Sequence, residues 1–264
     1  MSIAIRGAGL ILVTLLPVHT AQAQSVNIID DEIRARTRVI ESPAASANER
    51  LDAQAARGVL FRKAGQFELA IVDFTEVLRV RPAADDVYVE RGMAHISAKQ
   101  SDLAMSDFDD AVRINPDNRN ARVQRASLHR WQGAYDEAIR DLDRAIALDG
   151  ADPWAVSERG LVHLENSELD AAIADLTRAL ELTPTSAWAF AERGVAYLRS
   201  GKPDQAIADL SRSLELDAGD PVALYARGVA RKRMGEIVEG DRDIAAAIKL
   251  WPNVASAAEQ QGIR

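Results

Sequence analysis

The sequence predicts an all-α protein, a solenoid of stacked antiparallel helix hairpins, and three observations predict it. Arg57-Gly58, Arg91-Gly92, Arg125-Ala126, Arg159-Gly160, Arg193-Gly194 and Arg227-Gly228 recur every 34 residues without an insertion. Within each period, apolar residues at a 3.6-residue spacing occupy two stretches, positions 3–12 and 20–30 when Leu51 is position 1. Between the stretches, Gly65, Gly133, Gly201 and Gly235 stand at position 15, where a residue that leaves the helical conformation cheaply ends one helix before the next begins. One hairpin cannot bury both of its faces, so neighbours must stack.

Composition agrees with a folded chain. Of 264 residues, 47% are hydrophobic and 27% charged, too apolar a mixture for disorder. The formal charge of −8, from 40 acids against 32 bases, disfavours a nucleic-acid backbone as partner, which needs a basic surface. With no cysteine there is no disulfide framework, thiolate metal site or cysteine nucleophile.

Taken in order, residues 1–23 read as a secretory signal peptide. Arg6 is their only formal charge, Gly7 to Val18 is nearly all apolar but too short to span a bilayer, and Ala21-Gln22-Ala23 sets small residues at a cleavage site. The expected location is therefore outside the cytoplasm, periplasmic or secreted. Residues 24–50 form an extension and linker: Ile28, Ile29, Ile33 and Ile40 suit a short amphipathic helix, and Ser42-Pro43-Ala44-Ala45 suits a linker. Ser46-Ala47-Asn48-Glu49 has capping-box spacing, so a helix starts there.

Six repeats follow, 51–84, 85–118, 119–152, 153–186, 187–220 and 221–254. Position 8 is glycine or alanine, position 20 is alanine five times and then Gly240, and position 24 is always large and apolar, from Phe74 and Phe108 to Leu142, Leu176, Leu210 and Ile244. In an antiparallel hairpin, positions 8 and 20 face each other, and small residues there let the two backbones approach. Asp152-Pro153 and Asp220-Pro221 put a capping acid before a proline in the first turn of a new repeat. Residues 255–264 are left as a C-terminal cap, with a short helix expected from Val254 to Gln261.

Position 7 is arginine and position 23 aspartate in all six copies: Arg57 with Asp73, Arg91 with Asp107, Arg125 with Asp141, Arg159 with Asp175, Arg193 with Asp209, Arg227 with Asp243. The two positions lie at nearly the same height across the hairpin, and the aspartate also lies level with the arginine of the next repeat. This predicts a structural ladder of partly buried ion pairs, in which guanidinium and carboxylate bond two-to-two. Six equivalent pairs argue for structure and against catalysis.

The period, with the residue classes at positions 8, 20, 24, 27 and 32, resembles the tetratricopeptide repeat (TPR) family over residues 51–254. The resemblance implies a right-handed superhelix whose first helices line a concave groove, and a role in binding proteins or peptides rather than in chemistry. Three departures from the family pattern stand out. Position 4 lacks the frequent tryptophan, position 7 is arginine where leucine is usual, and repeat six carries Gly240-Asp241 in place of Ala-Ile. A polar, degenerate last repeat suits a solenoid end.

If the first helices line a groove, the candidate partner-binding residues are Trp154, Leu161, Leu164, Trp188, Val195, Leu198, Arg199, Tyr225, Val229 and Arg233. They combine an apolar strip, two tryptophans at position 2 of successive repeats, and cations at the rim. Family members that clamp an acidic chaperone C-terminus use basic residues and asparagine at position 6, where this chain has Ala56, Glu90, Gln124, Glu158, Glu192 and Ala226, which disfavours that ligand. The expected function is that of an exported, non-enzymatic adaptor or scaffold for a peptide or protein, with recognition of envelope polysaccharide or peptidoglycan as the alternative. His95, His129 and His163 share position 11, one per repeat, so they suit packed hydrogen-bonded sites better than a metal centre. No phosphate loop, HExxH or GxSxG occurs, and no cofactor or metal is implied.

Overall fold

The computed structural model of the chain describes residues 18–264, with side-chain environments from residue 28 onward. The signal-peptide reading falls outside the described residues except for positions 18–23, which begin the first helix. All described elements are helices, in two compact parts that meet in sequence at Pro82 and Ala83.

The first part holds α1 (Val18–Glu41), α2 (Ala47–Lys63) and α3 (Phe67–Val80). Ser46 caps α2, accepting from the Glu49 backbone N–H while the Glu49 carboxylate accepts from that of Ser46. Helices α2 and α3 pair as the first hairpin, and α1 packs on α2. At 24 residues, α1 is much longer than the short helix expected around the isoleucines. No glycine or proline interrupts it before Pro43, so nothing in the backbone stops it earlier.

The second part continues with α4 (Asp85–Ser97), α5 (Ser101–Ile114), α6 (Arg119–Trp131), α7 (Tyr135–Leu148), α8 (Pro153–Glu165), α9 (Leu169–Leu182), α10 (Ala187–Arg199), α11 (Pro203–Leu216), α12 (Pro221–Arg233), α13 (Ile237–Leu250) and α14 (Val254–Gln260). Each first helix packs on its own second helix, and each second helix on the next first helix. The first helices also touch one another, α4 with α6, α6 with α8, α8 with α10 and α10 with α12. Among the described residues the second helices make no such contacts, so the first-helix layer is the tighter, concave side of this part. Asp152 and Asp220 cap α8 and α12 through the N–H groups of Trp154 and of Val222 and Ala223.

Position 15 takes a left-handed backbone in all six repeats. Gly65, Gly133, Gly201 and Gly235 have φ between 73° and 85°, and Lys99 and Ser167 are held at 62° and 63°. For a residue with a Cβ this conformation costs roughly 1–2 kcal/mol, so two repeats keep the turn without its preferred residue. The close approach at position 8 is equally regular. A Cβ on Gly92 would stand 2.5 Å from the Phe108 ring, and one on Gly194 2.7 Å from Leu210. Repeat three accommodates Ala126, fully buried, with the smaller Leu142 at position 24.

The ion pairs form inside every hairpin. In each repeat the arginine donates from Nε and Nη2 to the two oxygens of the aspartate 16 residues on, as in Arg159 to Asp175 at 2.8 and 2.7 Å and Arg193 to Asp209 at 2.7 and 2.9 Å. All six aspartates are buried. Hydrogen bonding to its aspartate holds the guanidinium of Arg57, Arg125, Arg159 and Arg193 above the ordinary arginine range.

The inter-repeat rung differs from the expectation. Within the second part, Nη1 reaches position 25 of the preceding repeat instead of position 23: Arg125 to Asp109 at 2.8 Å, Arg159 to Asp143 at 2.6 Å, Arg193 to Thr177 at 3.1 Å and Arg227 to Ser211 at 3.5 Å. The aspartate faces the arginine of its own hairpin, and the polar side chain two residues further along the same helix is the acceptor that the next repeat's arginine meets. In the first part, Thr37 of α1 takes this role for Arg57 at 3.0 Å, so the extension supplies what a preceding repeat would.

Candidate functional site

The concave layer of repeats four to six is built by α8, α10 and α12, whose positions 2 and 9 share a face because they lie seven residues apart. On that face Trp154 and Trp188 are 58% and 41% exposed. Leu161, Tyr225 and Val229 are partly buried beside the core of this region.

The other expected groove residues are placed differently. Leu164, Val195 and Leu198 are buried in the core cluster, Leu198 completely, while Leu164 and Val195 show only a margin of surface at the wall of the cavity described below. The two leucines at position 12 share their cluster with Ala258 and Ile263 of the C-terminal segment, whereas Ile96 at the same position of repeat two is exposed. Arg199 and Arg233 do not stand free as rim cations. Arg199 donates to the Leu164 carbonyl at 2.8 Å and the Ser167 hydroxyl at 2.9 Å, and Arg233 to the Leu198 carbonyl at 2.9 Å and the Arg264 carbonyl. Position 13 of one repeat thus adds a side-chain donor to a carbonyl in the last turn of the preceding first helix, which also accepts from the cap backbone. Burial pulls the Arg199 guanidinium below its ordinary range. Neighbouring cations are paired as well, Arg231 with Asp243 at 2.7 Å and Lys232 with Asp241 at 2.8 Å.

Two features of this region escaped the sequence reading. The first is the C-terminal segment. Ile263 is 1% exposed in the same core cluster as Leu164 and Leu198, so the residues after α14 fold back onto the first-helix layer. Its only sequence signal is one isoleucine in a polar tail.

The second is a cavity of about 720 Å³ between α8, α10 and this segment, with Leu161, Glu165, Glu192 and Val195 among its walls, together with Gln261, Gly262 and Arg264. Glu192, at position 6, is partly buried there and has no hydrogen-bond or ion-pair partner among the described residues. Burial, together with the charges of Asp220 and Glu165 and against that of Arg130, pushes its carboxyl up to about 7. Glu165 by contrast accepts from Arg130 at 2.6 Å, and buried Glu158 accepts from the Ser127 hydroxyl at 3.1 Å.

Two of the three repeat histidines, His95 and His163, are bound within their hairpins. His95 and Gln100 are hydrogen-bonded at 2.6 Å and His163 and Glu168 at 2.5 Å, each through Nδ1, while Nε2 lies 3.7 Å from the ladder aspartates Asp107 and Asp175. No group of three His, Asp or Glu side chains converges as metal ligands among the described residues. Nor is any described helix long and apolar enough to cross a membrane.

Comparison with known proteins agrees with this architecture. The model described as tetratricopeptide repeat matches residues 55–119 and 191–233, and that described as TPR repeat matches residues 164–201. No curated protein matches the chain significantly. Among solved structures, the chain is similar to PilF of Pseudomonas aeruginosa, with 18% identity and a TM-score of 0.69 over 82% of this chain and 99% of that one. It is similar to PilW, described as a widely conserved type IV pilus biogenesis factor, with 18% identity and a TM-score of 0.69 over 78% and 96% of the two chains. YrrB, described as a TPR protein with an unusual peptide-binding site, is 20% identical with a TM-score of 0.59 over 71% and 97%. At such identities these neighbours establish the fold alone. With two helices in every 34-residue period, a small-residue crossing at positions 8 and 20 and these matches, the chain belongs to the tetratricopeptide repeat family.

Proposed function

We propose that the protein is a non-enzymatic adaptor that binds a peptide segment of a partner protein along α8, α10 and α12. One observation carries the reading: Trp154 and Trp188 stand at equivalent positions of successive first helices, and both are substantially exposed. Large aromatic surfaces left exposed are what binding hot spots are made of. The accessible site is Trp154, Leu161, Trp188, Tyr225 and Val229, with Glu192 and Glu165 at its acidic side. The peptide-binding site named for YrrB supports this use of the fold.

We also propose export, on the strength of the signal-like residues 1–23, so that the partner belongs to the periplasm or the exterior. The test is crosslinking from the native envelope with the parent and with Trp154→Ala/Trp188→Ala, partners being identified by mass spectrometry. A protein captured by the parent and lost in the variant is expected. Polysaccharide capture, or a partner held equally by both, contradicts the reading.

A further inference from the structure

We propose that the cavity between α8, α10 and the C-terminal segment is a subsite for a cationic side chain, lysine or arginine, of the bound peptide. The inference rests on the peptide-binding reading above and names the chemistry of the partner.

Its basis is an account of charge in the cavity. Every cation nearby already has a partner: Arg130 holds Glu165, Arg199 holds the Leu164 carbonyl and Ser167, and Arg264 lies 3.8 Å from Glu259. Every carboxylate on the cavity wall has a cation except Glu192. A partly buried carboxyl without a counter-ion is costly, and proteins keep such groups paired. Here the missing partner is one positive group, and the surrounding volume of about 720 Å³ is far more than one water needs. The walls suit the rest of a long side chain, since the partly buried Leu161 lines the same cavity as Glu192 and offers apolar surface to aliphatic methylenes.

The carboxyl titrates near neutrality when empty, under the influence of Asp220, Glu165 and Arg130, with Arg199, Arg264 and Glu259 also bordering the cavity. A bound cation favours the ionised form, so affinity rises as pH rises through about 7. A ligand that accepts a hydrogen bond from the neutral carboxyl gives the opposite slope.

The test uses the full chain and degenerate hexapeptide pools with one fixed central residue, lysine, arginine, norleucine or glutamate, followed by fluorescence anisotropy at pH 6 and pH 8. Norleucine keeps a lysine-like aliphatic stem and removes the charge. The lysine and arginine pools are expected to bind about tenfold tighter than norleucine at pH 8, roughly the 1.4 kcal/mol of one charge-assisted contact. The advantage should shrink at pH 6 and vanish in Glu192→Gln, an isosteric change whose melting curve confirms folding. Equal binding of the lysine and norleucine pools overturns the cationic subsite and leaves the peptide groove standing. Lysine preference that survives Glu192→Gln, or that strengthens at pH 6, also overturns it. Absence of binding by every pool overturns both the subsite and the peptide reading.

Discussion

Removing the ladder aspartate should cost different amounts in neighbouring repeats, and position 25 decides which. Asp209→Ala takes two charge-assisted bonds from Arg193, whose side chain is 16% exposed and whose guanidinium retains only the Thr177 hydroxyl at 3.1 Å as hydrogen-bond partner. Phe190 and Tyr197 lie 5.7 and 5.9 Å from that guanidinium, but they are present before and after the change. Breaking a buried pair by removing one partner costs about 3–5 kcal/mol, and the residual exposure puts Asp209→Ala near the lower end, about 3 kcal/mol. Asp175→Ala removes the same two bonds from Arg159, yet Arg159 is 25% exposed and keeps a carboxylate, Asp143, at 2.6 Å. That counter-ion should roughly halve the loss, to about 1.5 kcal/mol. For a chain of this size the difference corresponds to roughly 3–6 °C in melting temperature, resolvable by circular dichroism. Replacing both Arg193 and Asp209 by leucine should recover most of the loss, because no stranded charge remains. Equal shifts for the two alanine variants, or a larger one for Asp175→Ala, would refute the role assigned to position 25.

Other expectations follow from the same geometry. Lys99→Gly and Ser167→Gly should each stabilise the chain by about 0.5–1 kcal/mol in urea titrations, since they relieve a left-handed backbone at φ 62° and 63°. Gly92→Ala should lower the melting temperature more than Gly160→Ala, because the added methyl would meet the Phe108 ring at 2.5 Å in one case and Leu176 at 3.0 Å in the other. The raised carboxyl of Glu192 means that the folded chain binds a proton more tightly than the unfolded chain, so this group's contribution to stability is lost as pH rises from about 4.5 to about 7. Glu192→Gln should therefore melt increasingly above the parent between pH 5 and pH 8, and a difference independent of pH would contradict the assignment. Trp154→Ala/Trp188→Ala should weaken peptide capture well over tenfold with little change in helicity, at about 2 kcal/mol or more for each hot-spot tryptophan.

What the sequence disclosed was whatever repeats. Six copies of Arg57 to Arg227 against Asp73 to Asp243 made the hairpin pairing readable, because a contact inside one period is constrained six times over. The position-25 rung was not readable, since Asp109, Asp143, Thr177 and Ser211 share only the ability to accept a hydrogen bond. Groove residues were harder for a related reason. Periodicity places Leu198 and Trp188 on one helix, but whether a side chain at position 12 or position 2 stays accessible depends on what packs against it, which differs between repeats. Ile263 and the cavity at Glu192 lie where the solenoid meets a tail outside the repeat, so no period constrained them.

The most direct test of peptide binding in the first-helix layer is hydrogen exchange of the full chain, read by mass spectrometry, with and without a saturating lysine-centred hexapeptide. Slowed exchange confined to residues 153–165, 187–199, 221–233 and 257–264 is the predicted result, with α9 and α11 unchanged. Protection on α9 and α11 instead, or an unchanged exchange pattern throughout α8 and α10, would contradict the account.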